Sequence, residues 1–145
     1  MAQAKHSVTV PVSDEKVWEF VSKIEKWATL VPGYKTHEEK NETTSLWTFE
    51  GNMKGIKKTV QVELEIIEVQ QPNRIKFNFK GVSDNFAGSG EFTAEEEGNG
   101  TKMTGTVEAT AGGIAGVALN PMIKMVLPIV TTRLTEKIGR TLQTT

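Results

Sequence analysis

The sequence contains no cysteine and only two histidines, His6 and His37. Without cysteine the chain can form no disulfide, no thiolate metal site and no cysteine nucleophile. The two histidines stand far apart and belong to no paired metal-binding motif, so we expect no bound metal. The glycines Gly112, Gly113 and Gly116 lack the spacing of a phosphate-binding loop. We therefore expect no cofactor.

An excess of charge of either sign is also missing. The formal net charge is -1 and the pI is about 6.2, which gives no electrostatic reason to expect nucleic acid or an anionic membrane as a partner. The first residues, MAQAKHSV, carry no apolar run of the secretory type, so we expect a cytoplasmic protein. A length of 145 residues with 37% hydrophobic content is typical of one domain over residues 1–145.

Long hydrophobic runs are scarce, and the one candidate for a membrane span covers residues 111–130. It is interrupted by Asn120, Lys124 and two prolines. A lysine near the centre of a bilayer would cost about 2.5 to 3.5 kcal/mol. We therefore expect a core helix here and no transmembrane segment.

The longest helical pattern covers residues 118–142, where apolar residues recur at spacings of three and four. Asn120 is the expected N-cap and Pro121 the expected first helical residue. Pro128 removes a backbone hydrogen bond within the run and predicts a bend or break near residues 124–127. Because the first half of this helix is apolar around most of its circumference, we expect that half to be the more deeply buried.

The rest of the chain predicts strands, with short helical turns after the first of them. Residues 6–12 alternate as a strand, and Ser13 is the expected cap of one or two short helices that end before residues 32–33. Alternating strands follow, with a change of face at residues 67–69 that indicates a bulge or a bend. Residues 98–100 (Gly-Asn-Gly) give the strongest hairpin signal. The pattern predicts an α+β helix-grip fold, in which a curved antiparallel sheet wraps around a long C-terminal helix.

The alternation also predicts which side chains line the inner side of that sheet. This side is apolar and contains no carboxylate or histidine, so it favours a cavity that binds an apolar small molecule. The alternative is that the same side chains simply fill a core. The expected ligand-binding residues from the sheet and the helix are Trp47, Phe49, Val62, Leu64, Phe77, Phe79, Phe92, Met103, Met122, Met125, Val126 and Ile129.

Several short motifs occur together in a particular order. In chain order they are residues 8–11, Val17-Trp18, residues 30–33, residues 86–92, Gly100-Thr101 and Gly112-Gly113. At these motifs the sequence resembles the START-type superfamily (SRPBCC), most closely the proteins similar to the G subunit of carbon monoxide dehydrogenase. The resemblance implies the helix-grip fold and a cavity between sheet and helix for apolar or aromatic small molecules or lipids.

Three hypotheses of function follow. The first is a protein that binds an apolar small molecule or lipid without catalysis. The second, implied by the resemblance to the carbon monoxide dehydrogenase proteins, is an accessory protein that assembles or recruits an oxidoreductase. The third, implied by the superfamily, is a polyketide cyclase or dehydratase, for which Asp84 in the loop of residues 81–85 is the candidate titratable group at the cavity mouth. His37 lies in a polar THEEK segment that we interpret as solvated, without a catalytic role.

Overall fold

The computed structural model describes residues 2–53, 55–82 and 84–144. Within these ranges it contains seven strands, three α-helices and one short 3-10 turn. In chain order the elements are β1 (Ala2–Val10), α1 (Asp14–Val21), α2 (Ile24–Trp27), the 3-10 turn (Ala28–Leu30), β2 (Tyr34–Glu39), β3 (Thr44–Met53), β4 (Ile56–Gln70), β5 (Arg74–Gly81), β6 (Phe86–Glu97), β7 (Gly100–Ala111) and α3 (Ala115–Gln143).

All seven strands form one sheet with the order β1-β7-β6-β5-β4-β3-β2. Every neighbouring pair is antiparallel. Strands β2 to β7 are neighbours in the order in which they follow along the chain. The first strand, β1, pairs with the last strand, β7. The long helix α3 packs on this β1–β7 pair. The structure confirms the predicted helix-grip fold with short helices after the first strand.

Local sequence signals explain several element boundaries. The Ser13 hydroxyl accepts a hydrogen bond from the Lys16 N–H and caps α1, as the sequence predicts. The β6–β7 connection is a two-residue loop in which Gly98, at φ 59°, has the left-handed backbone conformation. The hairpin prediction is confirmed, although the left-handed position belongs to Gly98 while Gly100 already begins β7. Strand β1 begins at Ala2, earlier than the predicted residue 6.

The predicted change of face in β4 is present. The register between β4 and β5 shifts between Ile66 and Glu68, so one extra residue lies on β4 at this point. Beyond the shift, Val69 pairs with Ile75. The bulge keeps apolar residues on the same side of the sheet along both halves of this long strand.

The start of α3 differs from the sequence prediction. The helix begins at Ala115, and Asn120 and Pro121 lie inside it, so Asn120 is not the N-cap. The Asn120 side chain accepts a hydrogen bond from the Ala111 N–H (2.8 Å) and donates one to the Ala111 carbonyl (3.0 Å). Its role is to tie the helix to the end of β7. The helix runs through Pro128 without the break that we expected.

The burial of α3 is the reverse of the expectation. Its second half carries buried Ile138 and Leu142, whereas Met125 and Ile129 in the first half are exposed. The main core explains this, because it lies between the second half of α3, helix α1 and one end of the sheet. The core consists of Val10, Val17, Trp18, Val21, Ala94, Met103, Ile138 and Leu142.

Candidate functional site

The inner side of the sheet is the side that faces α3. Strand pairing places Trp47 opposite Val62 and Leu64 opposite Phe79, and these residues share this side with the strand residues that contact α3. All the strand residues that the sequence predicts for the ligand site lie on this inner side. The structure therefore brings together side chains from five neighbouring strands, β3 to β7.

Two glycines shape the inner surface of β5 and β6, which we call the floor. Gly88 and Gly90 on β6 lie next to Phe79 and Phe77 on β5. A β-carbon on Gly90 would collide with the Phe77 ring, and one on Gly88 would collide with the Phe79 ring and with the backbone of Glu108. The two rings therefore lie down over β6 in the space that the missing side chains leave. Because the rings lie against the sheet, they leave space between the floor and the helix.

Much of the inner side is left without a cover. Helix α3 packs on β1 and β7 and makes few contacts with β3 to β6. On the side of α3 that faces the sheet, Ile123, Leu127 and Val130 are only half-buried. We call the space between the two surfaces the groove. Its sheet wall is formed by half-buried apolar residues, namely Phe49, Val62, Leu64, Ile66, Phe77, Phe79 and Phe92.

Several predicted ligand-binding residues have other surroundings. Met103 is fully buried in the main core, and Phe92 packs against that core while remaining half-buried. Trp47 is also buried, because aromatic rings cover it. Phe92 therefore borders both the core and the groove.

The predicted helix residues lie on a stripe that differs from the one facing the sheet. Met122, Met125, Val126 and Ile129 follow one another at helical spacing. Met122 is half-buried, while the exposed fractions of Met125, Val126 and Ile129 are 55%, 37% and 45%. The structure therefore does not place these four with Ile123 and Leu127 on the sheet-facing side of α3.

An aromatic cluster closes the groove at the β2 edge of the sheet. It consists of Trp27, Tyr34, His37, Trp47 and Phe49. The Trp47 ring is at its centre, stacked on Trp27 (centroids 5.6 Å apart), on His37 (5.1 Å) and on Phe49 (5.8 Å). Tyr34 meets it edge-on at 5.8 Å. Offset and edge-on ring pairs of this kind stabilise the wall beyond simple area burial.

The cluster contains a polar pair that the sequence did not predict. The Tyr34 hydroxyl and His37 Nδ1 are 2.7 Å apart and share a hydrogen bond. Strict alternation would place residues 34 and 37 on opposite sides of β2, but the register with β3 shifts between Tyr34 and Thr36. The shift brings both residues to the same side. The interpretation of His37 as solvated is wrong, because its ring is half-buried and stacked on Trp47.

Asp84 lies at the opposite end of the groove from the core. Its carboxylate pairs with the Lys58 ammonium at 3.3 Å. Its loop contacts the approach to α3, where the Gly112 N–H donates to the Asn85 carbonyl. Ser83, in the same loop, lies outside the described residues. The structure therefore gives Asp84 a cationic partner at this rim.

Two groups of charge pairs on the outer side of the sheet shift the pKa of one of their members. Hydrogen bonds from Lys57 and then Lys35 lower the pKa of Glu50, and the hydrogen bond to Glu91 raises the pKa of Arg74. Within residues 2–53, 55–82 and 84–144, no group of three histidine, aspartate or glutamate side chains is arranged to hold a metal ion. In the same part of the chain, no helix is long and apolar enough to cross a membrane.

A low apolar floor, an open groove and a long C-terminal helix fit the family whose sequence profile this chain matches. The match covers residues 1–139 and is to polyketide cyclase / dehydrase and lipid transport proteins. The chain belongs to this family. Among curated protein sequences, none matches the chain.

Solved structures show that this member of the polyketide cyclase and lipid transport family has a widely used fold. A conserved protein from Geobacillus kaustophilus has a TM-score of 0.81 at 17% identity, covering 98% of this chain and 95% of its own. A START superfamily protein from Mycobacterium smegmatis has a TM-score of 0.75 at 14% identity, with 99% of both chains covered.

A third similar structure is a larger protein. It is the di-domain ARO/CYC protein StfQ from the steffimycin biosynthetic pathway, with a TM-score of 0.68 at 10% identity. The match covers 96% of this chain and 49% of StfQ. At such low identities these likenesses establish the START-type helix-grip fold of the family and no shared activity.

Proposed function

We propose that the protein binds an apolar small molecule in the groove between the sheet and α3. The observation that carries this proposal is the half-buried state of the apolar wall of β3 to β6, which α3 leaves largely uncovered. Apolar side chains gathered in a concave surface are the usual lining of small-molecule sites. The description of the family, which includes lipid transport, supports the same function.

Burial of the apolar wall by a ligand would provide the free energy of binding. Removing apolar surface from water contributes about 25 cal/mol per Å², and an apolar ligand would remove both its own surface and that of the wall. The main core is separate from the groove and is already filled by its own side chains. We therefore expect the ligand to bind a folded protein without rearrangement of the core.

Two variants on one strand test this function. Leu64 lies on the inner side of β4, whereas Ile67 lines a depression on the outer side with Lys76 and Asn78. The affinity of wild type, Leu64→Glu and Ile67→Glu for oleate, cholesterol and 2-ethylnaphthalene would be measured by thermal shift and fluorescence. Leu64→Glu is expected to bind at least about 10-fold more weakly, because an ionised carboxylate would be buried under the ligand.

Ile67→Glu is the matched control and is expected to bind as wild type does. In the wild type, ligand at about 100 times its Kd stabilises the fold by about 2.7 kcal/mol, which raises Tm by roughly 5 °C or more. Absence of any Tm change with these compounds, combined with no small molecule recovered from the protein purified out of its own cells, would refute groove binding.

A second candidate function is that of an accessory protein for a carbon monoxide dehydrogenase-type oxidoreductase. The observation that favours it is a set of exposed apolar residues in, and just before, the first half of α3. The exposed fractions are 95% for Ile114 and 83% for Val117, and Met125 and Ile129 are also exposed. Exposed apolar surface is typical of protein contact sites.

If the protein has this second function, a dehydrogenase polypeptide should co-purify with it from native extract. Met125→Lys/Ile129→Lys should abolish that enrichment, because two cations would have to be desolvated at the contact. Lys102→Glu, on exposed surface of β7, is the matched control. Enrichment of the dehydrogenase that is unchanged by the double substitution would exclude α3 as the contact surface, and absence of the dehydrogenase would remove the candidate.

A further inference from the structure

His37 Nε2 is a polar atom of the aromatic cluster that is left available. The two indole N–H groups of the cluster donate to protein oxygens, from Trp27 at 2.9 Å and from Trp47 at 2.8 Å. The Tyr34 hydroxyl is engaged with His37 Nδ1. For His37 Nε2, the part of the chain that the structure describes supplies no hydrogen-bond partner. The nitrogen is not sealed in, since that same part contains no buried side-chain nitrogen or oxygen atom without a partner.

His37 lies at the β2 edge of the groove. His37 pairs with Trp47 across β2 and β3, and Trp47 pairs with Val62 on β4. The three residues form a row across the sheet that leads from the edge strand to the groove wall. The His37 ring is held by stacking on Trp47, with 25° between the ring planes, and by the Tyr34 hydroxyl. The orientation of the His37 ring is therefore fixed before any ligand binds.

We propose that His37, positioned by Tyr34, binds one oxygen atom of the molecule in the groove. This inference rests on the proposed groove-binding function. In this proposal the Tyr34 hydroxyl donates to Nδ1, so Nε2 carries the proton and donates to a carbonyl or hydroxyl oxygen of the ligand. This arrangement selects an apolar molecule with a carbonyl or hydroxyl group over a plain hydrocarbon.

The selection arises because a ligand that covers His37 Nε2 without pairing it leaves that nitrogen without water and without a hydrogen-bond partner. A hydrogen bond of this kind contributes roughly 3- to 10-fold in affinity. Tyr34 acts as a positioning residue, since its hydroxyl contacts His37 and determines which ring nitrogen carries the proton.

The test compares two probes of nearly the same shape, 2-acetonaphthone and 2-ethylnaphthalene, which differ by the replacement of a carbonyl with a methylene. Dissociation constants would be measured for wild type, His37→Phe and Tyr34→Phe, with His6→Gln as a control remote from the groove edge. His37→Phe is expected to lose roughly 3- to 10-fold in affinity for the ketone and to keep its affinity for the hydrocarbon.

A spectroscopic readout separates a binding role from a structural one. In 15N spectra of the histidine rings, 2-acetonaphthone should shift the His37 Nε2 resonance of the wild type, and 2-ethylnaphthalene should not. Tyr34→Phe should change the tautomer populations of His37 in the absence of ligand. This wild-type measurement stands even where His37→Phe fails to fold.

The outcomes distinguish this inference from the function on which it rests. If both probes bind and neither shifts Nε2 nor depends on His37, the groove binds ligand and the oxygen site is wrong. If neither probe binds to the wild type, both proposals fall together.

Discussion

At the scale of single residues, the groove depends on side chains that are missing. Gly90 and Gly88 provide the space into which Phe77 and Phe79 lie, so the aromatic rings form a floor and do not fill the groove. Alternation identifies Gly88 and Gly90 as inner-side positions, but it does not show which neighbouring ring takes their space. The ring positions follow from the pairing of β5 with β6.

Gly90→Ala should therefore push the Phe77 ring upward into the groove. We expect a loss of stability of about 1 to 3 kcal/mol, as for overpacked cores, and a weaker affinity for 2-ethylnaphthalene. Urea unfolding and fluorescence titration measure the two effects. Gly51→Ala is the matched control on β3, because a β-carbon there meets no other atom within 4 Å.

The double variant Gly90→Ala/Phe77→Leu should recover part of both losses, since the smaller side chain leaves room for the new methyl group. A Gly90→Ala protein as stable as the Gly51→Ala protein, with unchanged affinity, would show that the Phe77 ring does not set the height of the floor.

At the scale of elements, α3 is attached to the sheet at both ends by different means. Its second half is held by the apolar core and by the hydrogen bond between His6 and Glu136 at 2.8 Å. Its first half is held by Asn120, whose amide group satisfies both backbone groups of Ala111. This attachment leaves α3 at the β1–β7 side and the groove open.

Asn120→Ala should detach the first half of α3 from β7. It removes the partners of a backbone N–H and a backbone carbonyl, so we expect a cost of about 1 to 3 kcal/mol. Amide hydrogen exchange should increase most in the first half of α3. Lys124→Ala, one turn later and exposed, is the control and should change stability by less than about 0.5 kcal/mol. Equal stability of the two variants would contradict this role for Asn120.

The sequence predicted the elements better than it predicted their surroundings. Period-two alternation and turn residues identified the meander, including the bulge near Ile67, because these signals are local. The prediction that Asn120 is an N-cap was wrong because the hydrogen-bond partner of its side chain is Ala111, on another element. The burial of α3 was wrong because amphipathicity does not tell which half of a helix the sheet covers. His37 was missed because a bulge after Tyr34 reverses the side on which a strand residue lies.

At the scale of the whole molecule, the fold divides its apolar surface into two parts. One part is sealed in the core at one end of the sheet, with Met103 and Leu142 fully buried. The other part lines the groove and stays partly exposed to water. The first provides stability that does not depend on a ligand, and the second provides the surface that we propose a ligand covers.

The most direct test of this account is an isotope-filtered NOE experiment between 2-ethylnaphthalene and the 13C-labelled methyl groups of the wild-type protein. The hydrocarbon probe is chosen because its binding does not require His37. The account predicts NOEs to the methyl groups of Val62, Leu64 and Ile66, and none to Ile67 on the outer side of the same strand. NOEs only to Ile67, or only to the exposed Met125 and Ile129 on α3, would contradict it.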